Sequence, residues 1–146
     1  YIGLPIYFKG VADTLIGYDV ILFVTGLTIA VVFQLAHVVE DTAFPAPDPV
    51  SQKIEEEWAL HQLHTTANFA THSKVVSWFM GGLNFQVEHH LFPKICHIHY
   101  HKLAPIIEAT AREYGIPYLY NDTFFGAVGS HIRTLQRFGY AENELM

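Results

Sequence analysis

Apolar residues in this chain gather in blocks, and no stretch shows the two-residue alternation of a half-buried strand. The longest block is VILFVTGLTIAVVFQLAHVV, Val20–Val39, which holds no formally charged residue. A helix of that length, at about 1.5 Å per residue, is roughly 30 Å long and matches a hydrocarbon core. Asp19 bounds it on one side, Glu40 and Asp41 on the other. A chain of 146 residues rarely encloses such a helix on all sides, so it is expected to span a membrane. The block does not read as a secretory leader, because no basic segment precedes it and no small-residue cleavage pattern follows it. Tyr1–Phe8 reads as the end of an earlier span and Lys9–Asp19 as a short external turn, which together make a transmembrane helical hairpin.

Beyond the span, Pro45, Pro47 and Pro49 exclude a helix and mark residues 42–50 as a linker. A helix is expected from Ser51 to about Ala70, with Glu55, Glu56 and Glu57 near its positive end. Gly81-Gly82 marks a break. A short helix over Leu83–Phe92 should stop at Pro93. Another is expected over Tyr100–Tyr114, and a last one over Thr123–Phe138 stopped by Gly139. The expected fold class is all-α, with residues 1–41 in the membrane region and residues 51–146 forming a cytosolic helical cap.

Composition narrows the function. Hydrophobic residues make up 51% and charged residues 15%, and Lys plus Arg number 8 against 14 acids, which argues against disorder and against a nucleic-acid partner. The single cysteine, Cys96, rules out an internal disulfide framework. Lys9 alone precedes the span and every other basic residue follows it, so the C-terminal side is expected in the cytoplasm. Histidine is the unusual count: 10, more than Lys and Arg together.

If the helix from Ser51 reaches Ala70 and beyond, His61, His64, Asn68 and His72 fall on one stripe at about 100° per residue. Such a stripe is polar where a core-facing one would be apolar, and solvated faces favour Lys and Glu over His. Gln86, His89 and His90 share a second face at i, i+3, i+4. Neutral imidazoles converging on one point suit iron, zinc, copper or nickel. Glu88 points elsewhere in that geometry and would support a neighbouring ligand or pair with a cation. His37, at the end of the span with Gln34 and Asp41, is expected to line a site without ligating. His97, His99 and His101 spread over both faces of a helix start and read as interfacial. His131 reads as structural.

The segment GGLNFQVEHHLFP, Gly81–Pro93, resembles the third histidine box of membrane fatty acid desaturases. The form Gln86-Val87-Glu88-His89-His90 resembles the front-end branch of that family, and FQLAHVVEDTAFP, WALHQLHTTANFA and the region from His97 to Tyr118 look like its bacterial members. The resemblance covers nearly the whole chain. It implies an oxygen-dependent acyl desaturase with two iron ions, with O2 as co-substrate and electrons from an external donor of the cytochrome b5 or ferredoxin type. By resemblance, His72, His89 and His90 bind iron, Gln86 takes the first ligand position of the box, and Asn68 acts through a water. His61 and His64 would line the site. Phe69, Trp78, Phe79 and Phe85 are candidates for the walls of an acyl tunnel, and the substrate would be a fatty acyl-CoA or an acyl lipid. The family's two other histidine boxes have no counterpart here, so the chain is expected to carry about half of the ligands and to be inactive alone. A fatty acyl hydroxylase on the same scaffold, or a non-catalytic His-rich metal-binding membrane protein, are the alternatives.

Overall fold

The computed structural model describes residues 1–143. It is mostly helical, and the chain divides into two compact units, Tyr1–Phe33 and Gln34–Met146.

In the first unit, α1 (Gly3–Lys9) is separated from α2 (Val11–His37) by Gly10 alone. Gly10 has φ +81° and its N–H closes on the Ile6 carbonyl at 2.9 Å, a left-handed stop that a side chain would resist. The expected turn over Lys9–Asp19 is therefore helix from Val11 onward. Asp13 and Asp19 are charged but do not break a helix, and Asp13 sits in the first turn where the dipole favours it. The edge of the apolar block and the edge of the helix are different boundaries. Along α2, Ile21, Leu22 and Phe23 are all exposed. Among the described residues, α2 is the one helix long and apolar enough to cross a membrane.

The second unit is built around α3 (Trp58–Thr65), α5 (Gln86–Leu91) and α6 (Tyr100–Glu113). Leu63, Val87 and Ile107, one from each helix, form the apolar centre, with Leu91, Leu103, Ile116 and Tyr118 packed against them. Leu63, Val87 and Ile107 each contribute about 1.5–3 kcal/mol by leaving water. A short helix, α4 (Lys74–Phe79), precedes α5, and α7 (Phe124–Asn143) closes the chain. α7 is tied to the turn after α2: His131 Nδ1 donates to the Val38 carbonyl at 2.7 Å, and the Glu40 N–H donates to Ser130 Oγ at 3.0 Å. It runs through Gly139, which was expected to stop it.

Two expectations fail in the region that carries the site. The helix from Ser51 does not begin there. Asp48 Oδ1 accepts from the N–H groups of Val50 and Ser51, holding a turn, and helix starts only at Trp58. Nor does it reach Ala70. It stops at Thr65, Thr66 is extended, and Ala67–Phe69 form a strand, β1. β1 pairs in parallel with β2 (Leu119–Asn121), Asn68 opposite Tyr120. Three-residue strands leave too short a pattern to read, and the partner lies about fifty positions away, so local periodicity carried no trace of this sheet.

Candidate metal centre

The strand moves Asn68 off the predicted stripe and into the base of the site. Asn68 is fully buried. Its Nδ2 donates to Glu88 Oε2 at 2.8 Å and to the Tyr118 hydroxyl at 2.7 Å, and its Oδ1 accepts from the Val87 N–H at 2.9 Å. α5 has no side-chain cap of its own at Phe85. Asn68 caps it instead from another element, satisfying one of the orphan N–H groups of the first turn.

Glu88 is also fully buried, on the opposite side of α5 from the histidine heads. The Tyr118 hydroxyl donates to its Oε1 at 2.7 Å, so both carboxylate oxygens are engaged. Burial pushes the Glu88 carboxyl above its ordinary range, against the lowering pull of Tyr118 and Asn68. The same burial, with the Glu88 charge beside it, pushes the Tyr118 hydroxyl up. Glu88 hydrogen-bonds Asn68 and Tyr118 rather than an imidazole, so its part is to lock α5 onto β1 and the segment before β2. Tyr118 carried no signal in the sequence beyond being an aromatic after a proline.

Three polar heads meet on the other face of α5. Gln86 Nε2 lies 3.5 Å from His37 Nε2 and 3.4 Å from His90 Nε2. The His37 and His90 rings are 4.9 Å apart, centre to centre. Gln86 Oε1 is buried and has no hydrogen-bond partner. His90 is held down to about 4, first by burial and then by the neighbouring His37 and His89, so its ring is neutral at physiological pH. A neutral imidazole and an unpartnered amide oxygen are what a cation needs and what a solvated surface does not provide. Among the described residues no three His, Cys, Asp or Glu side chains come together to hold a metal; here the third head is the Gln86 amide.

The remaining candidates have other neighbours. His89 stands 5.8 Å from His90 ring to ring, and its Nδ1 meets the Tyr100 hydroxyl at 3.3 Å. His61 and His64 do stay on one helix, α3, and both turn Nδ1 to a single carboxylate, Glu56. His61 and His37 line one cavity of about 330 Å³ with Phe44 and Ile54. His72 is in the turn before α4. It lines a cavity of about 570 Å³ with Lys74, Trp78, Phe85 and His101. Phe69 is buried 6.4 Å from Phe124, in the core, and Phe85 is buried at the cavity edge. Trp78 and Phe79 are 77% and 72% exposed, and Trp78 lines the cavity beside His72 and Phe85.

Residues 2–121 match the model of the fatty acid desaturase family. The chain belongs to that family. An sn-1 linoleoyl-lipid 6-desaturase of Synechocystis sp. is 46% identical over 140 residues, which is 95% of this chain and 39% of that desaturase. A second desaturase of the same name, from Arthrospira platensis, is 43% identical over 86% of this chain and 33% of its own length. An acyl-lipid (8-3)-desaturase of Physcomitrium patens is 43% identical over 84% of this chain and 25% of its own. The chain thus spans a quarter to two-fifths of the length of these relatives. No solved structure matches it.

The residues at the α5 face fit a resident iron. They offer two imidazole Nε2 atoms, each met only by a long contact to the Gln86 amide, and an oxygen donor left without a partner, in a setting that keeps His90 uncharged.

Proposed function

We propose that this chain is the C-terminal part of an oxygen-dependent, front-end acyl desaturase and supplies about half of the ligands of a di-iron centre. The observation that carries the reading is the convergence of His37, Gln86 and His90 around the unpartnered Gln86 oxygen, in a chain of the desaturase family. His90, His89 and His72 are the iron-binding imidazoles, and Gln86 offers its amide oxygen. His37, expected only to line the site, joins this set as a third donor beside Gln86. Asn68 has both amide hydrogens committed, so a water there would rest on the second lone pair of Oδ1.

When bound, the irons supply the activation of O2 needed to remove hydrogen from an unactivated methylene. The protein's own groups hold the donors in place and exclude water. Val87 and Leu63 pack dry behind the site, Asn68 anchors the start of α5, and burial keeps the His90 proton off the donor nitrogen. Relatives named for acting on acyl lipids favour an acyl lipid as substrate, with acyl-CoA as the other carrier. Electrons come from a separate donor of the cytochrome b5 or ferredoxin type. The protein sits in the membrane with this unit on the cytoplasmic side.

Metal analysis of the full-length protein and product analysis test this together. About two irons per chain and a new double bond are expected. His89→Ala and His90→Ala should abolish desaturation while membrane insertion persists. Product formation in either variant would refute the ligand assignment. Gln86→His should keep part of the activity, since an imidazole can replace the amide as donor. One zinc with no O2 uptake would favour a non-catalytic metal-binding protein, and an alcohol product a hydroxylase.

A further inference from the structure

Both imidazoles at the convergence point have their far nitrogen held by α3. Gln62 Oε1 lies 2.6 Å from His90 Nδ1, and the Thr65 carbonyl lies 3.2 Å from His37 Nδ1. Gln62 and Thr65 are three positions apart on α3, so they serve the same side of the helix. A carbonyl or amide oxygen only accepts, so each Nδ1 carries the proton. A neutral ring then has its lone pair on Nε2. Both Nε2 atoms face the Gln86 amide. Without a cation, the Gln86 NH2 group is shared between the two lone pairs and its oxygen is stranded. Half a turn of that amide exchanges the two, bringing the oxygen in as a donor.

We propose that Gln62 is a positioning residue for the metal centre: its side-chain oxygen fixes the Nδ1–H tautomer of His90 and aims the Nε2 lone pair at the point shared with His37 and Gln86. The Thr65 peptide oxygen does the same for His37, so one short helix orients two donors that come from two other helices. This inference rests on the iron-binding reading above. Gln62 is partly buried next to Leu63, which belongs to the apolar centre, and Gln62 contributes an oxygen at a place where an apolar side chain would fill the same space. A leucine there would leave His90 Nδ1 without its acceptor and the ring free to rotate or change tautomer.

The test uses full-length protein purified in detergent, as wild type, Gln62→Leu and Gln62→Glu. Iron per chain, iron release to a competing chelator and the Mössbauer spectrum are the readouts. Gln62→Leu should loosen iron about 10- to 100-fold, the range for loss of a hydrogen bond behind a ligating histidine. Gln62→Glu, which can only accept, should keep iron bound and shift the spectrum, because a carboxylate makes the ring a stronger donor. Wild-type affinity and spectrum in Gln62→Leu would overturn the positioning role while leaving the iron reading intact. If Gln62→Leu fails to accumulate, an unshifted spectrum in Gln62→Glu overturns the role by itself. Wild-type protein that binds no iron would overturn both.

Discussion

The Tyr118 hydroxyl donates to Glu88 and accepts from Asn68, so Tyr118→Phe takes a partner from two fully buried groups at once. Unfolding midpoints should fall by the equivalent of about 1–3 kcal/mol, the range for stranding a buried polar group. Glu88→Gln should cost a similar amount. Its amide nitrogen would meet a donor whichever way it turned, either the Asn68 amide or the Tyr118 hydroxyl, and only the hydroxyl can reverse to accept from it. Neither change touches the histidine heads on the other face of α5. An iron-free preparation should therefore show both losses in full. The Gln86, His89, His90 register was legible from the i, i+3, i+4 spacing, because α5 is helical over just those positions. The partners of those residues were not. Gln62, Tyr118 and Glu56 reach the site from elsewhere in the chain, and a single sequence does not say which amide lies behind which imidazole.

Among the elements, α6 is nearly where its pattern placed it, ending one residue earlier at Glu113, because its apolar positions repeat at helical spacing for three turns. α3 shows the opposite case. Thr65-Thr66-Ala67-Asn68 could have continued the helix, but pairing with β2 outweighs a weak local preference. The link between α4 and α5 is set by Gly81 and Gly82, both with positive φ. A Cβ at Gly82 would stand 2.8 Å from His97 Cβ, backbone-attached carbon against backbone-attached carbon. Gly82→Ala combines that clash with a strained φ of +81° and should destabilise by about 1–3 kcal/mol, read as a lower thermal midpoint. α7 has an electrostatic tie to the turn after α2. Arg133 donates to Glu40 Oε2 at 2.7 Å, and this contact holds the Glu40 carboxyl below its usual range. A lowered carboxyl pKa adds stability above the unfolded-state value, near ~4.3, and loses it as pH falls through the folded value. The stability gap between wild type and Arg133→Ala should therefore be present at neutral pH, shrink in high salt, and close in acid. A gap that widens on acidification would contradict the assignment.

Taken whole, the chain joins a helix with apolar side chains exposed along its length to a unit that buries large polar side chains beside its apolar ones. Asn68, Asn84, Gln86 and Glu88 are all buried within the second unit, an unusual density of polar side chains for a core this small. The opening pattern of blocks anticipated the apolar helix. The histidine count pointed toward the α5 face, where His37 and His90 meet Gln86. Neither anticipated that a two-stranded sheet would hold the site's base together. Membranes carrying the full-length protein should retain it through alkaline carbonate washing, because α2 exposes Ile21, Leu22 and Phe23 with nothing polar to solvate them. Release into the wash would exclude a spanning role for that helix.

The parallel pairing of β1 with β2 also sets an order of events during synthesis. Asn68 lies opposite Tyr120, and the Ala70 N–H closes on the Asn121 carbonyl at 2.9 Å, so β1 has no partner until the chain has been made through Asn121. Tyr118, which completes the contacts behind Glu88, emerges only a few residues sooner. A nascent chain halted within α6 would already carry every histidine of the α5 face and the helix that orients them. It would lack the strand and the hydroxyl that hold them in register. Closing a loop of some fifty residues is slow compared with forming its helices. The donor face is thus translated early and fixed late, and metal offered to a ribosome-bound chain should be captured only after β2 has left the exit tunnel.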